Sequence, residues 1–167
     1  MKELKKFTHI DENGNAVMVD VSAKDVTRRQ ATAVGRIRMS ADCFAMVAQR
    51  RAKKGDVLGV AQVAGIMAAK RTFETIPLCH PLALTKCTVE FTLLPGENAI
   101  EARCTTRCDG RTGVEMEALN GVSAALLTVY DMCKAADRGM VISGIHLVEK
   151  SGGKSGNFVF DAGQDTP

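Results

Sequence analysis

Two ionisable side chains stand three residues apart near the end of a long, mostly apolar segment. Asp131 and Lys134 occupy positions i and i+3, and on a helix such side chains meet. A lysine beside an aspartate in a cleft can exchange protons with a substrate while the aspartate sets its position and charge state. The same spacing describes an ordinary surface ion pair, worth about 0.2–0.5 kcal/mol. Spacing alone favours that ion pair, because such pairs are common.

Acidic residues open the same predicted helix. Glu115 and Glu117 would favour a helix N-terminus in any case, because they interact well with the helix dipole. Fourteen residues separate Glu117 from Asp131, which is about 21 Å at a rise of 1.5 Å per residue. If both ends take part in one site, either the ligand is long or the site is shared between two chains. We favour two chains, because Gly121 and Ala124 between them would permit close approach.

A cysteine and a histidine stand side by side between two prolines, in the order Pro77, Cys79, His80 and Pro81. The prolines exclude helix and predict a stiff, extended corner. Adjacent side chains in an extended segment point in opposite directions, which disfavours a nucleophile paired with its base. A zinc site would need two further ligands, and no spacing supplies them. A substrate-facing His80 is the functional interpretation that remains.

Small basic clusters stand at the ends of several predicted elements. They are Arg28-Arg29, Lys53-Lys54, Lys70-Arg71 and the glycine-rich stretch "KSGGKSG" at 150–156. The glycine-rich stretch is not a phosphate-binding P-loop, because Val148 stands where that motif needs glycine and no helix follows. Each cluster alone is typical of surface charge. Together they suit a polyphosphate ligand better than a nucleic-acid face.

The composition excludes several classes of protein. The net charge is +3 and aromatic residues make up 4% of the chain, which disfavours nucleic-acid binding. No N-terminal signal sequence is present, and the longest apolar stretch, 57–69, is too short to span a membrane. The six cysteines include no Cys-x-x-Cys pair. We therefore predict a cytoplasmic protein with free thiols and no bound metal.

The elements that must position these residues follow from periodicity and turn signals. Residues 1–24 are predicted to form an arm or short hairpin, residues 25–160 a single domain, and residues 161–167 a tail. Within the domain we predict strands at 31–39, 87–94, 99–107 and 140–150, and helices from Ser40 to about 50, from Asp56 to about 75, and from a capping box at Thr112–Glu115 to about 137.

This order of elements predicts an α+β fold. Strand, helices, strand, strand, helix and strand form the β-α-β-β-α-β pattern of the ferredoxin-like sandwich, with a four-stranded antiparallel sheet and helices on one face. The second face of the sheet would then be covered by another copy of the chain, so we expect an oligomer.

Two long segments and one short one resemble the family of molybdenum cofactor biosynthesis protein C, the MoaC family of cyclic pyranopterin monophosphate synthases. They are "KGDVLGVAQVAGIMAAKRTFETIPLCHPL", "TGVEMEALNGVSAALLTVYDMCKA" and "KSGGKSG". The stretch "MVDVSAK" at 18–24 fits the same family, so the resemblance covers nearly the whole chain.

The resemblance implies a lyase without a cofactor. Such enzymes convert a cyclised dihydro-GTP to cyclic pyranopterin monophosphate and release pyrophosphate. It also implies homohexamers, built as trimers of dimers with the site at the dimer interface, and no nucleic-acid or membrane partner. Asp131 and Lys134 would be catalytic. The substrate would be bound by Leu78, Cys79, His80, Glu115, Met116 and Glu117, with cationic contacts from Arg29, Lys54, Lys70, Lys150 and Lys154.

A second hypothesis comes from another class of protein. A ferredoxin-like oligomer with basic edges could be a regulatory nucleotide-binding protein without catalysis. Asp131 and Lys134 argue against it, because binding alone requires no proton transfer.

Overall fold

The computed structural model describes residues 8–49, 55–161 and 163. Its main helices and strands follow one another in the order that the sequence predicts. They are β1 (Thr27–Arg38), α1 (Ala41–Ala48), α2 (Val57–Lys70), α3 (Thr72–Thr75), β2 (Lys86–Leu94), a 3-10 turn (Pro95–Glu97), β3 (Ala99–Gly110), α4 (Glu115–Cys133), β4 (Val141–Ser151) and β5 (Phe158–Val159). None of the helices in these residues is long and apolar enough to cross a membrane.

The strands form one sheet in the order β2-β3-β1-β4-β5, and every neighbouring pair is antiparallel. The predicted α+β class is confirmed, but the described sheet has five strands where four were predicted. The additional strand, β5, pairs with β4 through Val159 and Phe158. It forms because the chain turns back after the glycine-rich loop and the Phe160 amide donates to the Val148 carbonyl at 2.7 Å.

Helices α2 and α4 pack on one face of this sheet, where alternate strand residues are buried. Ile37, Val89 and Ile100 are fully buried there. A Cβ placed on Gly35 would lie 2.9 Å from both Leu126 and Val122 of α4, so the central strand lies directly under that helix.

The opposite face of the sheet is polar. Arg36 forms an ion pair with Glu101 at 3.0 Å, and the Thr32 hydroxyl donates to Glu149 at 3.1 Å. That another copy of the chain covers this face stays a prediction. Exposed apolar side chains that could serve association also lie on α2, among them Val60 and Val63.

Side-chain caps begin α1 and α2 as predicted. The Cys43 amide donates to Ser40 Oγ at 3.3 Å, and the Gly59 amide donates to Asp56 Oδ1 at 3.0 Å. The helix predicted to run to about residue 75 is instead interrupted at Arg71, which lies between α2 and α3.

The capping box predicted for α4 is wrong. The helix begins at Glu115, and Val114 occupies the cap position without a side-chain hydrogen bond. Val114 is buried in the core, and its carbonyl accepts hydrogen bonds from the Thr106 hydroxyl at 3.0 Å and from the Ala118 amide at 3.2 Å. This anchoring places the cap at Val114, two residues after the predicted cap at Thr112.

The other end of α4 also differs from the prediction. The helix ends at Cys133 rather than near residue 137. Asp137 instead accepts hydrogen bonds from the amides of Ser40 and Gly139, both at 2.7 Å. These bonds turn the chain toward β4.

The N-terminal arm carries the predicted turn. Ile10 and Ala16 form a β-bridge, Gly14 has a positive φ of 83°, and Asp11 accepts hydrogen bonds from the amides of Asn13 and Asn15. Residues 10–16 thus form one bridged turn, and the arm or hairpin over residues 1–24 stays a prediction.

Two glycines allow the backbones of α2 and α4 to touch. A Cβ on Gly65 would lie 2.8 Å from the Gly121 carbonyl oxygen, and a Cβ on Gly121 would lie 2.6 Å from Cys104 Sγ. Gly121 therefore serves packing within the chain, and the predicted role in the approach of a second chain is wrong for this residue.

Replacing Gly65 by alanine should destabilise the fold. The added methyl group meets backbone rather than a movable side chain, so we expect a loss of about 1–3 kcal/mol in the free energy of unfolding. Gly96→Ala is the matched control, because nothing lies within 4 Å of its Cβ position. Equal urea midpoints for the two variants would contradict the tight crossing.

Candidate active site

Two adjoining cavities open at the N-terminal end of α4, and together we call them the cleft. The inner chamber has a volume of about 270 Å³, and the outer chamber about 460 Å³. Lys24, Thr112, Gly113 and Glu115 line both chambers. The chambers are therefore two ends of one continuous site.

The inner chamber collects the predicted substrate-binding residues of two segments. One segment is the proline corner and the other is the first turn of α4; the residues are Leu78, Cys79, His80, Glu115, Met116 and Glu117. The corner is held in place by a hydrogen bond from the Cys79 amide to the Ile76 carbonyl at 3.1 Å. Residues more than thirty positions apart in the chain thus line one cavity, and their part in substrate binding stays a prediction.

His80 also contacts the N-terminal arm. Its Nε2 donates to the Val19 carbonyl oxygen at 2.8 Å, because a carbonyl can only accept. This bond fixes the ring orientation and leaves Nδ1 as the second functional nitrogen. Val19 and Val21 of the arm line the inner chamber beside it.

Glu117 is the buried acid of the inner chamber. Only 4% of its surface is exposed. Burial raises the pKa of its carboxyl from the ordinary 4.5 to about 7, and the negative charge of Glu115 adds to the rise, while a hydrogen bond from its own amide opposes it. A carboxyl that titrates near neutrality can both donate and accept a proton at physiological pH.

Cations outnumber acidic residues in the wall of the outer chamber. Lys24, Arg29, Arg111 and Lys154 contribute positive charge, against the carboxylates of Asp25 and Glu115.

Arg29 also braces the wall of this chamber. Its Nε donates to the Gly110 carbonyl at 2.9 Å, and one terminal nitrogen donates to the Arg111 carbonyl at 3.1 Å. Gly153 packs against the same guanidinium with φ 78°, and a Cβ there would collide with it.

Lys150 adds to the charge behind this wall. It donates to the hydroxyl of Ser155, which itself lines the outer chamber. A wall of this charge can hold an oligophosphate.

The predicted catalytic pair lies at the opposite end of α4. Lys134 Nζ donates to Asp131 Oδ1 at 2.6 Å, and both side chains are more than half exposed. An exposed pair of this kind adds little to stability, typically 0.2–1 kcal/mol. Neither residue lines the inner or the outer chamber, so a single chain does not bring the pair to the cleft.

One predicted cation among the described residues stands apart from the cleft. Lys70 ends α2 and lines a separate cavity of about 400 Å³ beside Leu82 and Cys87. Leu82 lines the inner chamber as well, so this cavity lies just behind it. Lys54 lies outside the described residues.

Comparison with known proteins identifies the family. A sequence profile described as "MoaC family" matches residues 18–153. The chain belongs to the MoaC family. A relative from Clostridium botulinum is 58% identical over 154 residues, which cover 92% of this chain and 97% of the relative.

Two further relatives agree with this one. A protein from Desulforapulum autotrophicum is 57% identical over 93% of this chain and 95% of its own length. A protein from Cereibacter sphaeroides is 57% identical over 91% of this chain and 96% of its own length. All three are named cyclic pyranopterin monophosphate synthase.

The cysteines of this MoaC-family chain form no disulfide, and all six lie within the described residues. Burial raises the pKa of the Cys43 thiol to about 12, with Cys133 contributing. Burial and the negative charge of Glu117 raise the pKa of Cys79 and of Cys108. Among the residues that the structure describes, no group of three or more His, Cys, Asp or Glu side chains could hold a metal ion.

Replacing cysteines should leave the chemistry intact. We expect Cys108→Ser and Cys133→Ser to keep most of the parent activity, because both are buried in the core and neither lines the cleft. Elemental analysis of the purified protein should find no stoichiometric zinc. A tightly held zinc whose removal by a chelator abolishes activity would refute this prediction.

Sequence reasoning missed part of the wall of the cleft. Lys24, Arg111, Thr112 and Gly113 were not predicted as site residues, although all four line it. Gly113 leaves room for the Glu115 carboxylate, which a Cβ there would meet at 1.8 Å. Two features of the sequence could have indicated these residues. One is the family-like stretch "MVDVSAK", which ends at Lys24, and the other is Gly113, two residues before the first turn of α4.

Proposed function

We propose that this MoaC-family chain is a cyclic pyranopterin monophosphate synthase. It would be a lyase of molybdenum cofactor biosynthesis that converts 3',8-cyclo-7,8-dihydroguanosine triphosphate to cyclic pyranopterin monophosphate and pyrophosphate. The observation that carries the proposal is the cleft itself, in which the proline corner and the acidic turn of α4 meet beside a cationic chamber. The names of the relatives support the same activity.

The two chambers suit the two ends of this substrate. The triphosphate fits the outer chamber, where Arg29, Arg111 and Lys154 stabilise the charge that develops on departing pyrophosphate. The base fits the inner chamber, where Glu117 titrates near neutrality and can move protons during the rearrangement to a pterin. A hydroxyl of the former ribose attacks the inner phosphate, so holding the substrate folded is part of the catalysis.

Asp131 and Lys134 complete the site from a second copy of the chain in this proposal. The pair stands about 21 Å along α4 from Glu117 by helical rise, beyond the walls of either chamber. A dimer of isologous symmetry would contain two such shared sites. Exposed Val60, Val63 and Leu127 supply apolar surface for association, and three dimers would form the homohexamer.

We also assign the fold and domain limits by this reasoning. The order β2-β3-β1-β4 with helices α2 and α4 on one face supports a ferredoxin-like domain over residues 25–160, extended at its edge by β5. Residues 1–24 then form an arm and residues 161–167 a tail. A cytoplasmic location stays a prediction.

Pyrophosphate release tests the activity directly. The purified protein, incubated with the cyclised triphosphate, should release one pyrophosphate for each pterin formed, measured by a coupled phosphate assay and by pterin fluorescence after oxidation. Tight binding of the triphosphate without release of pyrophosphate would instead support the non-catalytic nucleotide-binding oligomer.

A further inference from the structure

A short strap of the N-terminal arm, residues 19–26, runs along the cleft. It is fixed at one end by the hydrogen bond from His80 to the Val19 carbonyl at 2.8 Å, and at the other by β1, which begins at Thr27. Between these points the Ser22 amide donates to Asp20 at 2.8 Å, and the Lys24 amide donates to the Val21 carbonyl at 3.0 Å. The backbone position of Lys24 is therefore determined by bonds on both sides.

The strap places Lys24 at the junction of the two chambers. Of the residues that the structure describes, only Lys24, Thr112, Gly113 and Glu115 line both, and Lys24 is the one cation among these four. Arg111 and Lys154 line the outer chamber alone. The cations of the cleft thus fall into two positions, one at the junction and the others beyond it.

A nucleotide with its base in the inner chamber and its phosphates in the outer one must pass through this junction. In such an arrangement the sugar and the phosphate attached to it would lie at the junction. Resting on the proposed function, we propose that Lys24 binds this retained phosphate, which stays in the cyclic product, whereas Arg111 and Lys154 bind the two phosphates that leave.

The assignment gives Lys24 a defined role in the ring closure. The sugar hydroxyl oxygen forms a bond to the phosphorus of the retained phosphate, and the bond from that phosphorus to the bridging oxygen breaks. Pyrophosphate leaves with the electron pair and takes up the hydroxyl proton. The Lys24 ammonium stabilises the negative charge on the two non-bridging oxygens of this phosphorus.

The affinities for the two products distinguish the role of Lys24 at the junction from the role of Arg111 in the outer chamber. Lys24→Ala should weaken the binding of cyclic pyranopterin monophosphate by about tenfold, the usual scale for one charge-assisted hydrogen bond, and should leave the binding of pyrophosphate within about twofold of the parent. Arg111→Ala should do the reverse. Lys24→Arg should recover part of the affinity for the cyclic product, because it keeps the charge.

Arg38→Ala is the matched control, because Arg38 is exposed at the far end of β1 and lines neither chamber. It should change neither affinity. Isothermal titration calorimetry on the full-length protein measures both ligands, and circular dichroism checks that each variant folds.

Two results would overturn the assignment. If Lys24→Ala binds the cyclic product as well as the parent does, Lys24 does not hold the retained phosphate. If it weakens both products equally, it acts on the cleft as a whole. Failure of the proposed function is a different result, because the parent itself would then release no pyrophosphate from the cyclised triphosphate.

Discussion

Subunits carrying Asp131→Ala and subunits carrying Glu117→Gln should each be inactive alone and should recover activity when mixed. Each change removes a proton-transferring group, and the loss of such a group typically lowers the rate by about 10²–10⁴-fold. If Asp131 of one chain and Glu117 of the other serve the same site, a mixed dimer holds one site with both lesions and one with neither. Activity should approach about half of the parent's per mixed dimer, and about a quarter for a random one-to-one mixture.

The double variant provides the control for this experiment. When Asp131→Ala/Glu117→Gln subunits are mixed with parent subunits, every site of a mixed dimer contains one lesion, so the parent's activity should fall beyond simple dilution. Subunit exchange is verified by native mass spectrometry of subunits with different tags. The opposite result has three parts: subunits exchange, the single variants recover no activity on mixing, and the double variant only dilutes the parent. In that case Asp131 and Glu117 serve one site from the same chain.

Glu117→Gln should change how the stability of the fold depends on pH. The pKa of this buried carboxyl is raised from 4.5 to about 7, so the folded chain holds the proton more tightly than the unfolded chain does. The parent therefore has its full stability below about pH 4.5 and loses stability as the pH rises to about 7. A pKa difference of this size corresponds to about 3 kcal/mol. Glutamine cannot ionise, so the variant lacks this loss.

Urea unfolding at pH 5 and pH 8 measures the effect at one fixed protein concentration. Relative to the parent, the variant should gain about 2–3 kcal/mol in the free energy of unfolding between these two pH values. Glu90→Gln is the matched control, because Glu90 is exposed on β2, and it should follow the parent at both values. A constant difference between Glu117→Gln and the parent would show that the carboxyl is not protonated in the folded protein.

The elements of this fold could be predicted where local chemistry decides them. The alternation in "CTVEFTLL" buries Val89 and exposes Glu90, and it predicted β2 closely. Ser40 and Asp56 accept amide hydrogen bonds at the starts of α1 and α2, as short polar side chains do before helices. Both signals act within a few residues and need no knowledge of the rest of the chain.

The start of α4 could not be predicted, because distant residues decide it. Thr112 and Glu115 match a capping box locally, but Val114 is buried and its carbonyl accepts the hydroxyl of Thr106. The same limit applies to the cleft. The bond between His80 and Val19 spans 61 positions, and a single lysine such as Lys24 carries no local signal that it will lie between two chambers.

The contact between Gly65 and Gly121 has a mechanical consequence for an enzyme whose site would be divided between chains. No side chain lies between the two backbones at this point, so α2 and α4 cannot slide or rotate against each other by exchanging side-chain rotamers. The cleft at one end of α4 and the ion pair at its other end are thus held at a fixed distance by a rigid pair of helices. Any opening or closing of the cleft would then require movement of the segments outside α2 and α4 that line it, such as residues 19–25 and 153–155, or of whole subunits.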